Sequence, residues 1–167
     1  MPLLSTPMTL AASGSILAST WVSGGIAALT ICSVPAVLSL PGATPASNLI
    51  GAWHTQFFRG QVYLPTTAVA AALSYLYLAY QHYHLGYEWR GYAAAAASNV
   101  LLAPWTILLI APINHTLGAA LSRGVQGKMV SAETARALIA RWGGLNFYRI
   151  FMPLGGALLG FWNLLAA

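Results

Sequence analysis

The chain has 167 residues, 58% of them hydrophobic and 5% charged, with seven Lys and Arg against two acids and a formal charge of +5. A soluble domain carries charge on roughly a quarter of its residues, so this balance excludes a water-soluble globular fold and points to an integral membrane protein; the mean hydropathy of +0.69 agrees. In so apolar a chain the basic excess reads as a topology signal, and no nucleic-acid partner is expected.

Four apolar segments each reach the roughly 20 residues that a spanning helix needs. The first runs from about Thr9 to Leu40. No charged residue precedes Arg59, so this segment lacks the basic start of a secretory signal peptide and is expected to remain as a span. Gly14, Gly24, Gly25 and Ala27 would let another helix approach it closely. Cys32, the single cysteine, excludes an intramolecular disulfide and any CxxC motif. A linker rich in Pro, Gly, Ser and Ala, Pro41 to Ala52, leads to the second span, about Trp53 to Tyr80. There Gln56, Arg59 and Tyr63 stand at i, i+3 and i+7, on one helical face. A short hairpin around Gln81 to Arg90 leads to the third span, about Gly91 to Ile113, in which Ala93 to Ala97 reads as a small-residue packing face. A longer polar segment, Asn114 to Arg141, precedes the fourth span, about Trp142 to Leu165. Pro65, Pro104 and Pro153 fall inside spans, where neighbouring helices can re-satisfy the freed carbonyls. The expected fold is an all-α four-helix transmembrane bundle, one domain over residues 1–167, without the internal repeat of an inverted-repeat transporter.

Orientation follows from the bases. Arg123, Lys128, Arg136 and Arg141 flank the third linker against Glu133, whereas the second linker has Arg90 against Glu88, so the third linker is expected in the cytosol and both termini on the far side. Tyr75, Tyr77, Tyr80, Tyr83, Tyr87, Trp89 and Tyr92 would form the aromatic belt opposite. Asn114-His115-Thr116 is formally a glycosylation sequon, expected empty in this topology. The expected location is the endoplasmic reticulum or another endomembrane, with lipid as the surrounding partner.

Arg149 carries the strongest functional signal, because no other residue from Gly143 to Ala167 is charged at neutral pH. A guanidinium at membrane depth costs roughly 2.5 to 3.5 kcal/mol on insertion scales, so it usually faces a protein interior or a water-filled cavity. The bland alternative is that it snorkels or cross-links helices. Trp142, Asn146 and Arg149 stand at i, i+4 and i+7 on one face. With His54, Gln56 and Arg59 at the start of the second span and Asn114 and His115 at the end of the third, they are expected at one depth, so that two polar faces line one cavity. Neither Glu88 nor Glu133 is placed to neutralise Arg149, which leaves its charge for carbonyls, amides or an anionic ligand such as a phenolate or enolate oxygen. His54 and His115 are candidate bases, since imidazole takes up a proton near neutrality; an interfacial histidine is as often an amphipathic anchor. Trp53, Phe57, Tyr63, Trp105 and Trp142 could supply flat apolar walls.

His82 and His84 form an HxH near Glu88, but the three are loosely spaced among interfacial tyrosines, and no metal is expected there. A serine triad fails for want of an aspartate, and the span-end histidines offer no axial pair for a heme.

Trp53 with Phe57, then Arg59-Gly60, then Ala111-Pro112-Ile113-Asn114 followed by Leu117, then Trp142, Asn146 and Arg149, resembles the fungal anthrone oxygenases, small four-span membrane proteins. The resemblance covers about Gly24 to Pro153, and is sharpest in the Pro-x-Asn ending the third span and the Trp-x3-Asn-x2-Arg of the fourth; the linker from Gly118 to Thr134 matches nothing. It implies oxidation of a polyketide-derived anthrone to an anthraquinone with molecular oxygen as co-substrate and no bound flavin, heme or metal. His54 or His115 would remove the benzylic proton, and Arg149 with Asn146 and Asn114 would stabilise the anion. Other readings are a membrane cyclase or isomerase acting on another apolar natural-product intermediate, and a non-catalytic tetraspan scaffold in which Arg149, Asn146 and Asn114 are interhelical glue. A channel or proton-coupled transporter is disfavoured by spans without Asp or Glu. Four helices enclose little volume for a tricycle, and the Gly and Ala faces favour helix contacts, so a homo-oligomer is a mild expectation.

Overall fold

The computed structural model of the chain describes residues 5–123 and 130–166. Four helices among them are long and apolar enough to cross a membrane: α1 (Thr6–Leu38), α2 (Ala46–His84), α3 (Arg90–Ser122) and α4 (Ala132–Ala166). No strand occurs among the described residues. Lys128, one of the bases used to orient the chain, lies outside them.

The helices overrun the expected spans. At about 1.5 Å per residue they are about 50 to 58 Å long, against a hydrocarbon core of about 30 Å. The extra turns are amphipathic: Leu49 and Ile50 of α2, Leu117 of α3 and Ala135 and Ile139 of α4 are buried together at one end. Two stretches expected as linker are therefore helical, Ala46 to Ala52 and most of Asn114 to Arg141. His54, Asn114 and Trp142 consequently stand within helices and not at their ends.

Local chemistry explains where each helix stops. The α2–α3 hairpin turns at Gly86, whose φ of +74° suits a residue without a Cβ. Gly86 N–H donates to the Tyr83 carbonyl (3.2 Å) and Tyr87 N–H to the His82 carbonyl (2.9 Å), the paired bonds of a Schellman cap. Ser131 caps α4 by accepting the Thr134 N–H at 3.1 Å. Arg136 reaches across from α4 and donates to the carbonyls of Leu38, Leu40 and Pro41 at 2.7 to 2.9 Å, satisfying the otherwise orphaned end of α1.

In cross-section α1 packs on α2 and α4, α3 closes the ring between the same two, and α2 and α4 also meet across the centre. Three apolar layers stack along the axis. One end holds Trp53 and Trp142 with Ile110, Ile113 and Ile139. The middle holds Val22, Ile26, Ala68, Leu102 and Ile150. The far end holds Tyr75 and Tyr92 with Ala12, Leu78 and Ala95. The exterior is apolar as well, with Leu17, Trp21, Val69, Leu73, Ile107, Leu108, Phe151 and Trp162 all exposed. Apolar patches this extensive suit lipid better than water.

The polar residues between helices are chiefly small. Ser23 of α1 donates to the Ile150 carbonyl at 2.9 Å and Ser98 of α3 to the Met152 carbonyl at 2.6 Å, both beside Pro153. Ser19 donates to Asn99 Oδ1 at 3.2 Å. These bonds tie three helices together where Pro153 interrupts the α4 ladder. π-helical turns at Leu29–Ser33 and Thr106–Ile110 lie just ahead of Pro35 and Pro112, where regular α bonding is already broken.

Glycine sets the closest approach of α4 to α2. A Cβ on Gly160 would lie 2.6 Å from Tyr75 Cε1, whereas one on Gly144 would meet nothing within 4 Å. Gly160→Ala is expected to destabilise the detergent-solubilised bundle by about 1 to 3 kcal/mol, as overpacking does. Gly144→Ala should melt within a degree or two of the parent; equal midpoints for the two variants would contradict the packing described.

Candidate active site

One face of α4 builds the polar centre by a chain of oriented hydrogen bonds. Trp142 Nε1 donates to Asn114 Oδ1 of α3 at 2.9 Å. Asn146 Nδ2 donates to the Trp142 carbonyl one turn back at 2.8 Å, which leaves its Oδ1 to accept from Arg149 Nη1 at 2.8 Å. Asn146 is 1% exposed. The predicted face of Trp142, Asn146 and Arg149 is thus one bonded unit, and Asn114 joins it from across the bundle.

Charge at this centre is uncompensated. Arg149 Nε is buried and has no hydrogen-bond partner. The one ion pair among the described residues joins Arg90 to Glu88 at 3.6 Å, both exposed at the opposite end. Glu133 sits in the first turn of α4, about 24 Å from Arg149 along the axis at 1.5 Å per residue. A buried cation without a carboxylate is costly in a medium of low dielectric, and an anion arriving beside it recovers much of that cost.

Arg149, Asn146, Asn114 and Trp142 line a chamber of about 190 Å³, completed by Phe57, Gly60, Gln61, Leu64 and Pro65 of α2, Thr106 and Ile110 of α3, and Ile26 and Leu29 of α1. The two π turns contribute Leu29, Thr106 and Ile110 to its wall. Pro65 has no N–H to give the Gln61 carbonyl one turn earlier, so this wall also offers a backbone acceptor. Phe57 is backed by Trp53, ring on ring at 5.0 Å and 5°, and Trp53 meets the edge of Trp142 at 6.0 Å. The result is a flat aromatic side facing a guanidinium and amides.

Other candidate residues stand elsewhere. Gln56, Arg59 and Tyr63 share a face, as their spacing required, but it lines a shallow groove on the outside between α1 and α2, with Trp21 and Gly24. The two polar faces therefore do not meet in one cavity. The α2 face that reaches Arg149 is Phe57, Gly60, Gln61 and Leu64, also at i, i+3, i+4 and i+7, rotated by about 100° per residue from the other. Trp105 is half-buried and donates to the Leu145 carbonyl at 3.2 Å, away from the chamber wall. His54 packs on Phe58 at 5.8 Å and lies behind Trp53 at 6.3 Å. His115 is exposed on α3. Neither imidazole lines the chamber. His82 bonds through Nδ1 to the Glu88 carbonyl at 3.2 Å while His84 turns toward Tyr80; no group of three His, Cys, Asp or Glu able to hold a metal occurs among the described residues.

Gln61 is the wall residue that sequence reasoning missed. Its signal was the i−4 position to a mid-helix proline, a place where a polar side chain and a freed carbonyl coincide.

The bundle thus combines an apolar exterior with a small chamber, polar at one wall and aromatic at another. Residues 53–159 match the profile of the anthrone oxygenase family. The chain is 32% identical to a monooxygenase of Dothistroma septosporum over 87% of its own length and 77% of that protein. It is 32% identical to an anthrone oxygenase of Paecilomyces divaricatus, over 91% and 93% of the two chains. A noranthrone monooxygenase of Aspergillus flavus is 23% identical over 87% and 69%. No solved structure matches the chain. The chain belongs to the anthrone oxygenase family and is an enzyme of the oxygenase class. Every chamber residue except Ile26 and Leu29 falls within the matched region.

The bond from Trp142 to Asn114 gives a test of the centre's integrity. Asn114→Leu should strand a buried indole N–H and cost about 1 to 3 kcal/mol. Adding Trp142→Phe, which removes the stranded donor, should restore part of the thermal midpoint. A double variant less stable than the sum of the two single losses would contradict the bond.

Proposed function

We propose that the protein is a membrane-embedded oxygenase that converts a polyketide-derived anthrone to the anthraquinone with O2, and that Arg149 holds the negative charge which makes the substrate reactive toward oxygen. The observation that carries this reading is a half-buried guanidinium whose Nε is buried and free, bound to Asn146 and to no carboxylate, on the wall of a chamber with a flat aromatic side. The names of the relatives supply the substrate class; the chamber supplies a reason why this chain could serve it.

Removing a proton from the anthrone methylene gives an anion whose charge is shared with the carbonyl oxygen across the central ring. Donors placed where charge develops lower the barrier to that step, and Arg149 with the amides of Asn114 and Gln61 is so placed. The electron-rich carbon bonds to dioxygen and forms a peroxide. Loss of the second benzylic hydrogen as a proton, with cleavage of the O–O bond, leaves one oxygen as the new carbonyl and releases the other as water. No additional electron donor or acceptor is needed, so the scheme contains no cofactor. Both the aromatic tricycle and oxygen partition into lipid, which favours a site inside a bilayer.

A histidine takes the first proton in this scheme. Because His54 and His115 stand off the chamber wall, the transfer runs through water. The excess of bases at the Arg136 and Arg141 end supports a cytosolic orientation for it, in a protein of the endoplasmic reticulum or another endomembrane.

Arg149→Ala should lower kcat about 100- to 1,000-fold, the loss typical of one oxyanion donor, measured as oxygen uptake with a simple anthrone by protein that still accumulates in membranes. Asn146→Asp sets a carboxylate against the guanidinium and should lower the rate at least about tenfold, since a neutralised cation no longer draws an anion. Full activity in either variant would remove the anion-stabilising role. His54→Phe and His115→Phe identify the base: one should fall about 100- to 10,000-fold in kcat, and unchanged rates in both would take histidine out of the scheme.

A further inference from the structure

We propose that Leu64 is a gate and a specificity-determining residue: it divides the Arg149 chamber from two openings in the bundle wall, and its side chain sets how large a ring system can reach the guanidinium from the lipid side. The inference rests on the oxygenase reading and adds the route and the size limit of that site.

Among the described residues, Leu64 lines each of three cavities beside the centre, and no other residue is common to all of these three. On its inner side is the chamber of about 190 Å³. Between α2 and α3 is a cleft of about 360 Å³, walled by Ala68, Ala72, Leu73, Val100 and Ala103 and ending at Arg149. Its mouth is formed by Val69, Leu73, Leu76, Val100 and Ile107, all exposed on the apolar exterior. Between α1 and α2 is the outer groove that carries Arg59 and Tyr63.

The α2–α3 cleft is the route. It shares Arg149, Pro65 and Thr106 with the chamber as well as Leu64, so a flat molecule sliding in meets Leu64 and the guanidinium together at the boundary between cleft and chamber, where the bulk of the leucine limits how far a ring can advance. The outer groove shares only Leu29, Gly60 and Leu64 with the chamber and does not touch Arg149. Apart from Arg149, the polar side chains along the cleft are Asn99 and Thr106. Asn99 is engaged with Ser19 and the Ala95 carbonyl, and Thr106 with the Leu102 carbonyl. Such a lining fits an apolar aromatic ligand carrying one oxygen able to bear negative charge at its leading edge.

One glycine makes room for the gate. A Cβ on Gly25 would lie 2.6 Å from Leu64 Cδ2. Leu64 therefore occupies space that glycine leaves on α1. Gly25→Ala would push the flexible end of Leu64 inward without altering any residue of the chamber.

The test compares kcat/KM for anthrone and for an anthrone extended by one fused benzene ring, using oxygen uptake by the full chain. Leu64→Ala should raise the ratio of extended to parent substrate at least fivefold. Leu64→Trp and the milder Gly25→Ala should lower it, the former at least tenfold. A ratio within twofold of the parent in all three variants, each with normal membrane accumulation, would overturn the gate. If the unaltered protein consumes no oxygen with either anthrone, the oxygenase reading fails on its own. Affinities for the same two compounds, read from quenching of intrinsic tryptophan fluorescence, then decide the gate by the same ratios.

Discussion

A cation without a counter-ion, enclosed by four apolar helices, sets the terms for everything around it. One acid at a neighbouring position would neutralise Arg149, yet both acids of the chain lie near its turns. One arm of the guanidinium is fixed by Asn146, which is itself fixed by the Trp142 carbonyl. Fixing a donor before the reaction spares reorganisation when charge develops, which is where preorganised sites gain most of their effect. The scaffold reading, in which these groups saturate one another, does not account for a buried Nε left without a partner beside an open chamber. Interhelical hydrogen bonds come also from Ser19, Ser23 and Ser98.

The space beside Arg149 comes from interruptions of helical regularity. Pro65, Pro153 and the π turns before Pro35 and Pro112 prevent the helices from closing along their full length. Glycine works in the opposite sense at Gly143 and Gly160, where α4 comes tight against Val34 and Tyr75. Tight ends with a loosened middle give a small chamber in a bundle of only four helices.

Much of this was legible in the amino-acid sequence, for reasons that also mark where legibility stopped. Composition required a lipid-solvated helical bundle. A single charge in an apolar stretch singled out Arg149, and a period of 3.6 residues joined it to Trp142 and Asn146. The same period picks out the α2 face with Gln56, Arg59 and Tyr63. In water the apolar side of a helix turns inward, but in lipid both inside and outside are apolar, so periodicity identifies a face without saying which way it points. The face with Gln56, Arg59 and Tyr63 lines the outer groove, while Gln61, exposed at the edge of the chamber, stands on a neighbouring face with no second polar side chain to mark it. Helix ends were underestimated because a hydropathy window reads hydrocarbon thickness, whereas Leu49, Leu117 and Ile139 continue the packing beyond it.

The central claim is that the guanidinium turns a neutral anthrone into its anion inside the bundle. Absorption spectra of anthrone bound under argon to the detergent-solubilised protein test it without turnover. The account requires the spectrum of the deprotonated form at a pH where free anthrone in the same detergent remains the neutral ketone, and the neutral spectrum when Arg149→Ala binds it. A neutral ketone bound to the unaltered protein across the active pH range would contradict it.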